Sequence, residues 1–334
     1  MEFLQILNKL MTKKDLLEDE AAFALEEIMQ GKINNSQIAS FLTSLKSKGE
    51  SIEEIVAFVK IMRKNAINFS PKVKYLIDTA GTGGDGSKTF NISTCVAFVA
   101  AGAGASVAKH GNRAASSKSG SADVLEQLGM KIISDPVIAE KQLEDIGITF
   151  LFAPVFNPSM KHVASVRKEL GFKTIFNVLG PLTNPASAKR QIIGVYDKLF
   201  LKKLASVLKI LGTEKTLLVS SDIDEISISS ETDVYEITSD EIKNYSISPE
   251  EFGFKRTDLD TIQVEDKTKS AEVLLNVLKG KNGAARDIVL LNAGAAIYAS
   301  GIANSIQQGV SLAEKSIDSG KSLEKLELLR DFKM

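Results

Sequence analysis

Through the first seventy residues, apolar positions recur at offsets of three and four, the spacing that turns one side of an α-helix toward a core. Thr12-Lys-Lys-Asp15 reads as a capped start, followed by Leu16, Leu17, Phe23, Leu25, Ile28 and Met29 before Gly31 ends the run. Ile38, Phe41, Leu42 and Leu45 give a second helix from about Ser36 to Lys46. Ser51-Ile-Glu-Glu54 is a capping box opening a third, with Ile55, Phe58, Val59 and Met62 on its apolar side. Phe3, Leu4, Leu7, Phe41 and Phe58 exceed what a three-helix appendage needs, which predicts a homodimer through this block.

After Pro71 the pattern changes to short β-branched runs separated by segments of helical length. The predicted strands are Tyr75–Asp78, Ser106–Lys109, Lys131–Ile133, Ile148–Phe152, Ile192–Tyr196 and Lys215–Val219. Strands alternating with helices specify an α/β fold with a mostly parallel sheet, whose ligands bind at the carboxyl ends of the strands. No internal repeat or low-complexity tract interrupts it.

Composition narrows the class. The 334 residues, 44% hydrophobic, suffice for one large or two ordinary domains. A formal net charge of −1 with dispersed basic residues argues against a dedicated nucleic-acid binder. No apolar run approaches a membrane span, and Met1–Gln5 has no basic start of a signal peptide, so a cytoplasmic protein is expected. One cysteine, Cys95, excludes an internal disulfide, and two histidines are too few for a histidine zinc site.

Charged residues make up 25% of the chain, yet Gly86 to Ala122 contains no aspartate or glutamate and carries Lys88, Lys109, Arg113 and Lys118. Glycine-rich runs bracket this window: Gly81-Thr-Gly-Gly-Asp-Gly-Ser87 and Lys118-Ser-Gly-Ser121. Glycines admit a ligand to the backbone, free N–H groups form an anion nest and cations neutralise the guest. A polyphosphate fits, although the glycine cluster alone could be a tight turn. Gly81-x-Gly83-x-x-Gly86 matches the dinucleotide pattern but lacks the acid about 20 residues on, and Ser87 stands where a P-loop needs lysine.

Asp224-Glu225 follows a predicted strand, and adjacent carboxylates there call for a cation. Mg²⁺ binds through one or two carboxylates and completes its shell with water and phosphates. Lys161, His162 and Arg167 lie on a helix after Phe152 and could equally be a solvated basic face. Gly180-Pro-Leu-Thr-Asn-Pro185 reads as a rigid turn. No nucleophile stands out, so the chemistry expected is stabilisation of a departing phosphate.

Gly81-Thr-Gly-Gly-Asp85, Asn91-Ile-Ser-Thr94, Lys109-His-Gly-Asn-Arg113, Ser117-Lys-Ser-Gly-Ser-Ala-Asp123 and Gly180–Pro185 closely resemble, in order and spacing, the signature of the anthranilate phosphoribosyltransferase family. The resemblance implies a small all-helical domain (residues 1–70, completed by part of 160–188) beside a larger α/β domain (71–334), as in pyrimidine nucleoside phosphorylases. It also implies a homodimeric, Mg²⁺-dependent enzyme of tryptophan biosynthesis with two ions per subunit. The implied reaction joins anthranilate to 5-phosphoribosyl 1-diphosphate and releases pyrophosphate.

Carried over position by position, the donor would be held by Gly81, Gly84, Asp85, Thr89, Asn91, Ile92, Ser93 and Thr94. Lys109, His110, Gly111, Asn112, Arg113, Ala114, Ala115, Ser116, Ser117 and Ser121 would complete that site. Gly81, Asn112 and Arg167 would meet anthranilate, and Ser93, Asp224 and Glu225 the metal, with Lys109 and Arg167 as the catalytic pair. One departure is visible: Asn157 stands where many relatives have histidine. The rival readings are a nucleoside phosphorylase and a non-catalytic nucleic-acid-binding relative. The near-neutral charge and intact Gly-Gly-Asp and Asp-Glu motifs speak against the latter.

Overall fold

The computed structural model describes residues 1–114, 119–133 and 135–333. Four helices come first: α1 (Phe3–Met11), α2 (Glu18–Met29), α3 (Asn35–Lys48) and α4 (Ile52–Asn65). The capping box at Ser51 forms as expected, Glu54 N bonding Ser51 Oγ at 3.1 Å and Ser51 N bonding Glu54 Oε2 at 2.8 Å. The predicted cap near Asp15 does not form. The second helix starts at Glu18, and Asp15 instead meets the Lys48 ammonium at 2.6 Å.

The α/β part begins with β1 (Leu76–Gly81), α5 (Ile92–Gly102) and β2 (Ser106–Gly111), then α6 (Ser121–Gln127), α7 (Pro136–Ile146) and β3 (Ile148–Phe152). Three helices follow: α8 (Ala153–Phe156), α9 (Lys161–Leu170) and α10 (Ile175–Leu179). The chain re-enters the sheet as β4 (Arg190–Gly194), crosses α11 (Leu201–Ile210) to β5 (Lys215–Ser220), and forms a hairpin of β6 (Thr232–Thr238) and β7 (Ile242–Ile247). It ends in α12 (Lys267–Leu278), α13 (Ala284–Ser300), α14 (Ile306–Asp318) and α15 (Lys321–Arg330).

The sheet order is β3-β2-β1-β4-β5-β6-β7. The first five strands in that order are parallel, β6 runs antiparallel to β5, and β7 turns back antiparallel to β6. The carboxyl ends of β1 to β5 therefore share one edge. Alternation along the strands sends successive side chains to opposite faces. Ile192, Leu217 and Val219 join a core with α5 and α13, whereas Ile193 and Leu218 join one with α1–α4 and α11. Val163, Val166, Ile175, Phe176 and Leu179 lie in that second core, so α9 and α10 share apolar packing with the N-terminal bundle.

Two sequence expectations change. Lys131–Ile133 is not a strand; Met130 and Ile132 pack onto the core without joining a ladder. The surplus of apolar residues in the bundle is consumed internally: Phe3, Leu7, Phe41 and Phe58 are buried within the chain, Phe3–Phe41 and Phe41–Phe58 being ring pairs at 5.8 and 6.0 Å. Of the five named residues only Leu4 is exposed.

Glu54 is fully buried and ties the bundle together, accepting from Leu16 N at 2.9 Å and from Lys48 Nζ at 2.8 Å. Removing one partner of a buried pair strands the other. Glu54→Ala is expected to cost about 3 kcal/mol in denaturant unfolding, the low end of such losses because Lys48 keeps Asp15. A loss below about 1 kcal/mol contradicts this account of the bundle.

Candidate active site

The site is assembled from the shared strand edge. β1 ends at Gly81 and feeds the loop through Ser87, where Gly83, Gly84 and Gly86 all have positive φ. Among the described residues, the N–H groups of Gly84, Asp85 and Gly86 find no acceptor, whereas Gly83 N donates to Asp224 Oδ2 at 2.8 Å. This is an exposed row of donors of the kind that receives anions. Asn91 caps α5, its Oδ1 accepting from Thr94 N at 3.2 Å and from the Thr94 hydroxyl. Ile92 opens the helix, and Thr89 Oγ1 lies 3.2 Å from Ser87 Oγ.

The turn after β5 reaches across to this loop because Gly194 and Gly81 have no side chains. A Cβ on Gly194 would lie 1.6 Å from Asp224 O, and one on Gly81 2.9 Å from Asp224 Oδ2. Asp224 N donates in turn to Asp85 Oδ2 at 3.3 Å. Desolvation, followed by the charge of Asp85, pushes the Asp224 carboxyl up to about 7. Glu225 is also raised well above the carboxylate range, by desolvation and then by Asp224, although Lys109 and the Ser93 backbone oppose the rise. Three crowded carboxyl groups in a half-buried cleft are what a divalent cation relieves. Among the described residues, no group of three or more His, Cys, Asp or Glu forms a ready metal cage. That suits Mg²⁺, which takes few protein ligands and fills its shell with water and phosphate. The donor set therefore fits the ion.

Lys109, at the end of β2, is 4% exposed and donates to Thr79 O at 2.6 Å and Ser93 Oγ at 3.0 Å. Burial lowers its ammonium to about 8, while Asp78 and Glu225 hold it up. Asp78, fully buried on β1, accepts from His110 N at 3.0 Å through Oδ1, and its Oδ2 has no hydrogen-bond partner among the described residues. Desolvation raises its carboxyl to about 6. His110 is buried, and burial lowers its ring to about 4. Its neutral imidazole lies between Gly180 O, 3.2 Å from Nδ1, and Asn157 Nδ2, 3.4 Å from Nε2. Asn157 therefore packs with His110 under the cleft. The turn at Gly180 is structural as expected, with Asn184 Nδ2 donating to Ala108 O at 2.8 Å.

The loop after β2 brings Gly111, Asn112, Arg113, Ala114 and Ser121 together. Asn112 O accepts from Ser121 Oγ at 3.2 Å, and Ala114 N donates to Asp123 Oδ2 at 2.9 Å. Arg113 was expected over the phosphates, but it is engaged with Glu126 at 2.5 and 2.6 Å and with Asp123 at 3.4 Å. Ala115, Ser116, Ser117 and Lys118 lie outside the described residues. Arg167 has no carboxylate partner among the described residues. It bonds Asn177 Oδ1 at 3.5 Å and lies 5.5 Å over the Phe176 ring. His162 packs against Gly31, where a Cβ would come within 2.6 Å of its ring. Sequence reasoning missed two members, Asp78 and Lys173, since neither lies in a glycine or acid-pair motif. A separate cavity of about 410 Å³ opens at the amino ends of the strands, lined by Lys74, Tyr75, Lys189 and Arg190, and contains none of these groups.

A glycine-rich donor row, a carboxylate cluster and a buried lysine at the carboxyl edge of a parallel sheet, flanked by a helical bundle, define a group-transfer enzyme acting on phosphorylated substrates. Two family models agree in order and extent: the helical bundle domain of the glycosyl transferase family over residues 4–66, and its a/b domain over 73–323. The chain belongs to the anthranilate phosphoribosyltransferase family. It is 47% identical over 328 residues to the enzyme of that name from Acetivibrio thermocellus, covering 98% of this chain and 95% of the relative. It is 48% identical over 324 residues to that of a Thermoanaerobacter species, covering 96% of each. The Thermus thermophilus crystal structure superposes with a TM-score of 0.92 at 40% identity, covering 97% of this chain and 98% of the other. The Saccharomyces cerevisiae enzyme, in complex with PRPP and Mg, superposes at 0.91 and 30% identity, covering 98% and 97%.

The Asp78 charge has a measurable consequence. A carboxyl raised from 3.8 to about 6 contributes stability below pH 4 that is lost as pH rises through about 6. Asp78→Asn should therefore be at least as stable as the parent at pH 8. It also removes a charge that sustains the Lys109 ammonium, so the alkaline limb of the pH–rate profile should move to lower pH. An unmoved alkaline limb contradicts the Asp78–Lys109 link.

Proposed function

We propose that the cleft transfers the phosphoribosyl group of 5-phospho-α-D-ribose 1-diphosphate to the amine of anthranilate, giving N-(5-phosphoribosyl)anthranilate and pyrophosphate. The carrying observation is the opposition of a free N–H row at Gly84–Gly86 to the Asp85, Asp224 and Glu225 cluster, with the buried Lys109 ammonium beside it. The helical part, residues 1–70 completed by part of 160–188, closes one side, and residues 71–334 carry the donor site.

The loop N–H groups of Gly84, Asp85 and Gly86 would receive the diphosphate, with Thr89, Asn91, Ser93, Thr94 and the Lys109–Ser121 stretch around the ribose and phosphates. Asp224, Glu225 and Ser93 would hold Mg²⁺, two ions per subunit, which when bound supply positive charge to the departing pyrophosphate. Lys109 adds a fixed charge that needs no reorganisation during C1–O cleavage. Its hydrogen bonds to Thr79 O and Ser93 Oγ hold the ammonium in place. Gly81 and Asn112 would flank anthranilate, and Arg167, with no carboxylate partner among the described residues, would answer the anthranilate carboxylate. The aromatic amine is a weak base that sheds its proton readily once bonded to carbon, so no strong general base is required. The 4-fluoroanthranilate complex of the yeast relative supports this acceptor class.

A homodimer through the helical part is proposed, with Leu4 and Met11, exposed 58% and 63% and seven residues apart on α1, at its contact. Sedimentation of a monomer at micromolar concentration contradicts it. The protein is proposed to act in the cytoplasm.

The reaction is tested by the loss of anthranilate fluorescence with donor and Mg²⁺; no turnover by folded protein overturns it. A charge-assisted bond is worth about 1.5–3 kcal/mol, or roughly ten- to a hundredfold in affinity. Arg167→Ala should raise the anthranilate KM by about that factor and leave the donor KM unchanged. Lys109→Ala should raise the donor KM and slow the chemical step. Equal weakening of both substrates by Arg167→Ala would rule out this division. Replacing Asp224 and Glu225 with alanine together should abolish turnover while stabilising the metal-free protein, because their repulsion disappears. Retained Mg²⁺-dependent turnover contradicts the metal assignment.

A further inference from the structure

Lys173 sits in the short connection between α9 and α10, elements packed with the N-terminal bundle, yet its ammonium leaves that side. It donates to the carbonyl of Gly84, 89 positions earlier in the chain, and lies 3.1 Å from the centre of the Tyr196 ring. Gly84, at φ +78°, leaves the ammonium end its room: a Cβ there would lie 2.7 Å from Lys173 Cε and 3.0 Å from Nζ, and the lysine would have to shift. Lys173 is half-buried, and desolvation lowers its ammonium below the usual lysine range, while Asp224, Asp85 and Asp197 favour the charge and Lys46 of α3 opposes it. It makes no ion pair within 4 Å among the described residues, so its firm partners are a backbone carbonyl and an aromatic face.

The peptide geometry says what that contact does. The Gly84–Asp85 peptide bond is trans, so the Gly84 carbonyl and the Asp85 N–H point in opposite directions across one plane. Drawing the carbonyl toward Lys173 presents the Asp85 N–H on the other side, and it keeps a partial negative charge away from an incoming anion. Gly83, Gly84 and Gly86 all occupy left-handed backbone, where glycine has little preference of its own, so the loop needs an external hold. Asp224 supplies one through Gly83 N.

Building on the phosphoribosyl-diphosphate reading of the loop, we propose that Lys173 is a positioning residue for the donor. It clamps the Gly84 carbonyl from the helical side, with the Tyr196 ring as its rest, and so fixes the N–H row that receives the diphosphate. It acts through the loop and not on the acceptor.

The test is Lys173→Met, which keeps the stem and removes the donor and charge. With Mg²⁺ present, the donor KM should rise about tenfold, the anthranilate KM should stay unchanged and kcat should fall by less than about threefold. Lys173→Arg, which can still reach the carbonyl, should recover most of the loss, a rescue that bulk packing does not produce. Tyr196→Leu should move the donor KM in the same direction by a smaller factor, and serves if Lys173→Met is poorly folded. Calorimetric titration with magnesium pyrophosphate separates this inference from the reaction itself. Wild-type protein that binds pyrophosphate but never consumes anthranilate sinks the reaction reading, while about tenfold weaker binding by Lys173→Met still upholds the clamp. An unchanged pyrophosphate affinity in Lys173→Met, or an equal rise in both KM values, overturns the clamp.

Discussion

Lys109 carries a positive charge in the floor of the cleft, 4% exposed, and much of the site is arranged around keeping it ionised. Desolvation alone disfavours an ammonium there. Asp78 from β1 and Glu225 from the turn after β5 supply the opposing charge, and Thr79 O and Ser93 Oγ accept its hydrogen bonds. These partners come from three separate stretches of chain, β1, the first turn of α5 and the turn after β5, which the order β2-β1-β4-β5 helps bring together around it. Asp78 reaches one residue further, through its bond to His110 N. The floor is thus a charged unit in which no member can be neutralised alone without shifting the next.

The rim works by the opposite imbalance. Asp85, Asp224 and Glu225 are crowded: beyond desolvation, Asp85 raises Asp224, and Asp224 and Asp85 raise Glu225. Such a cluster is a standing electrostatic liability until a cation arrives. The glycines at 81 and 194 make the crowding possible by letting the Asp224 backbone approach β1 and β4. Donor row, carboxylates and lysine therefore form one surface whose charges are complementary to a metal-bound diphosphate, whereas Arg167, on α9, stands apart with no carboxylate partner among the described residues.

Much of this was legible in the chain. The helices α2–α4 and strands β1–β5 follow from apolar spacing, because each buries a definite face. The hairpin of β6 and β7 was not visible, since β7 is an edge strand with mostly exposed side chains and offers no apolar alternation. Lys131–Ile133 looked like a strand because its isoleucines are β-branched and Ile132 packs on the core, but among the described residues nothing pairs with it. The glycine runs and Asp224-Glu225 were readable as composition anomalies. Asp78 and Lys173 were not, because their meaning lies in contacts 32 and 89 positions away that only the folded sheet and bundle create. The pairing of Arg113 with Glu126 on the next helix was equally invisible, because it too is a contact made by the fold.

The central claim is that one surface, the Gly84–Gly86 N–H row facing Asp224 and Glu225, holds a metal-bound diphosphate. A crystal structure with 5-phosphoribosyl 1-diphosphate and Mn²⁺ in place of Mg²⁺ tests it most directly, because manganese is located by its anomalous scattering. The account predicts the diphosphate on the loop N–H groups and manganese between its oxygens and the Asp224–Glu225 carboxylates. A diphosphate bound away from the loop, or manganese bound without either carboxylate, contradicts it.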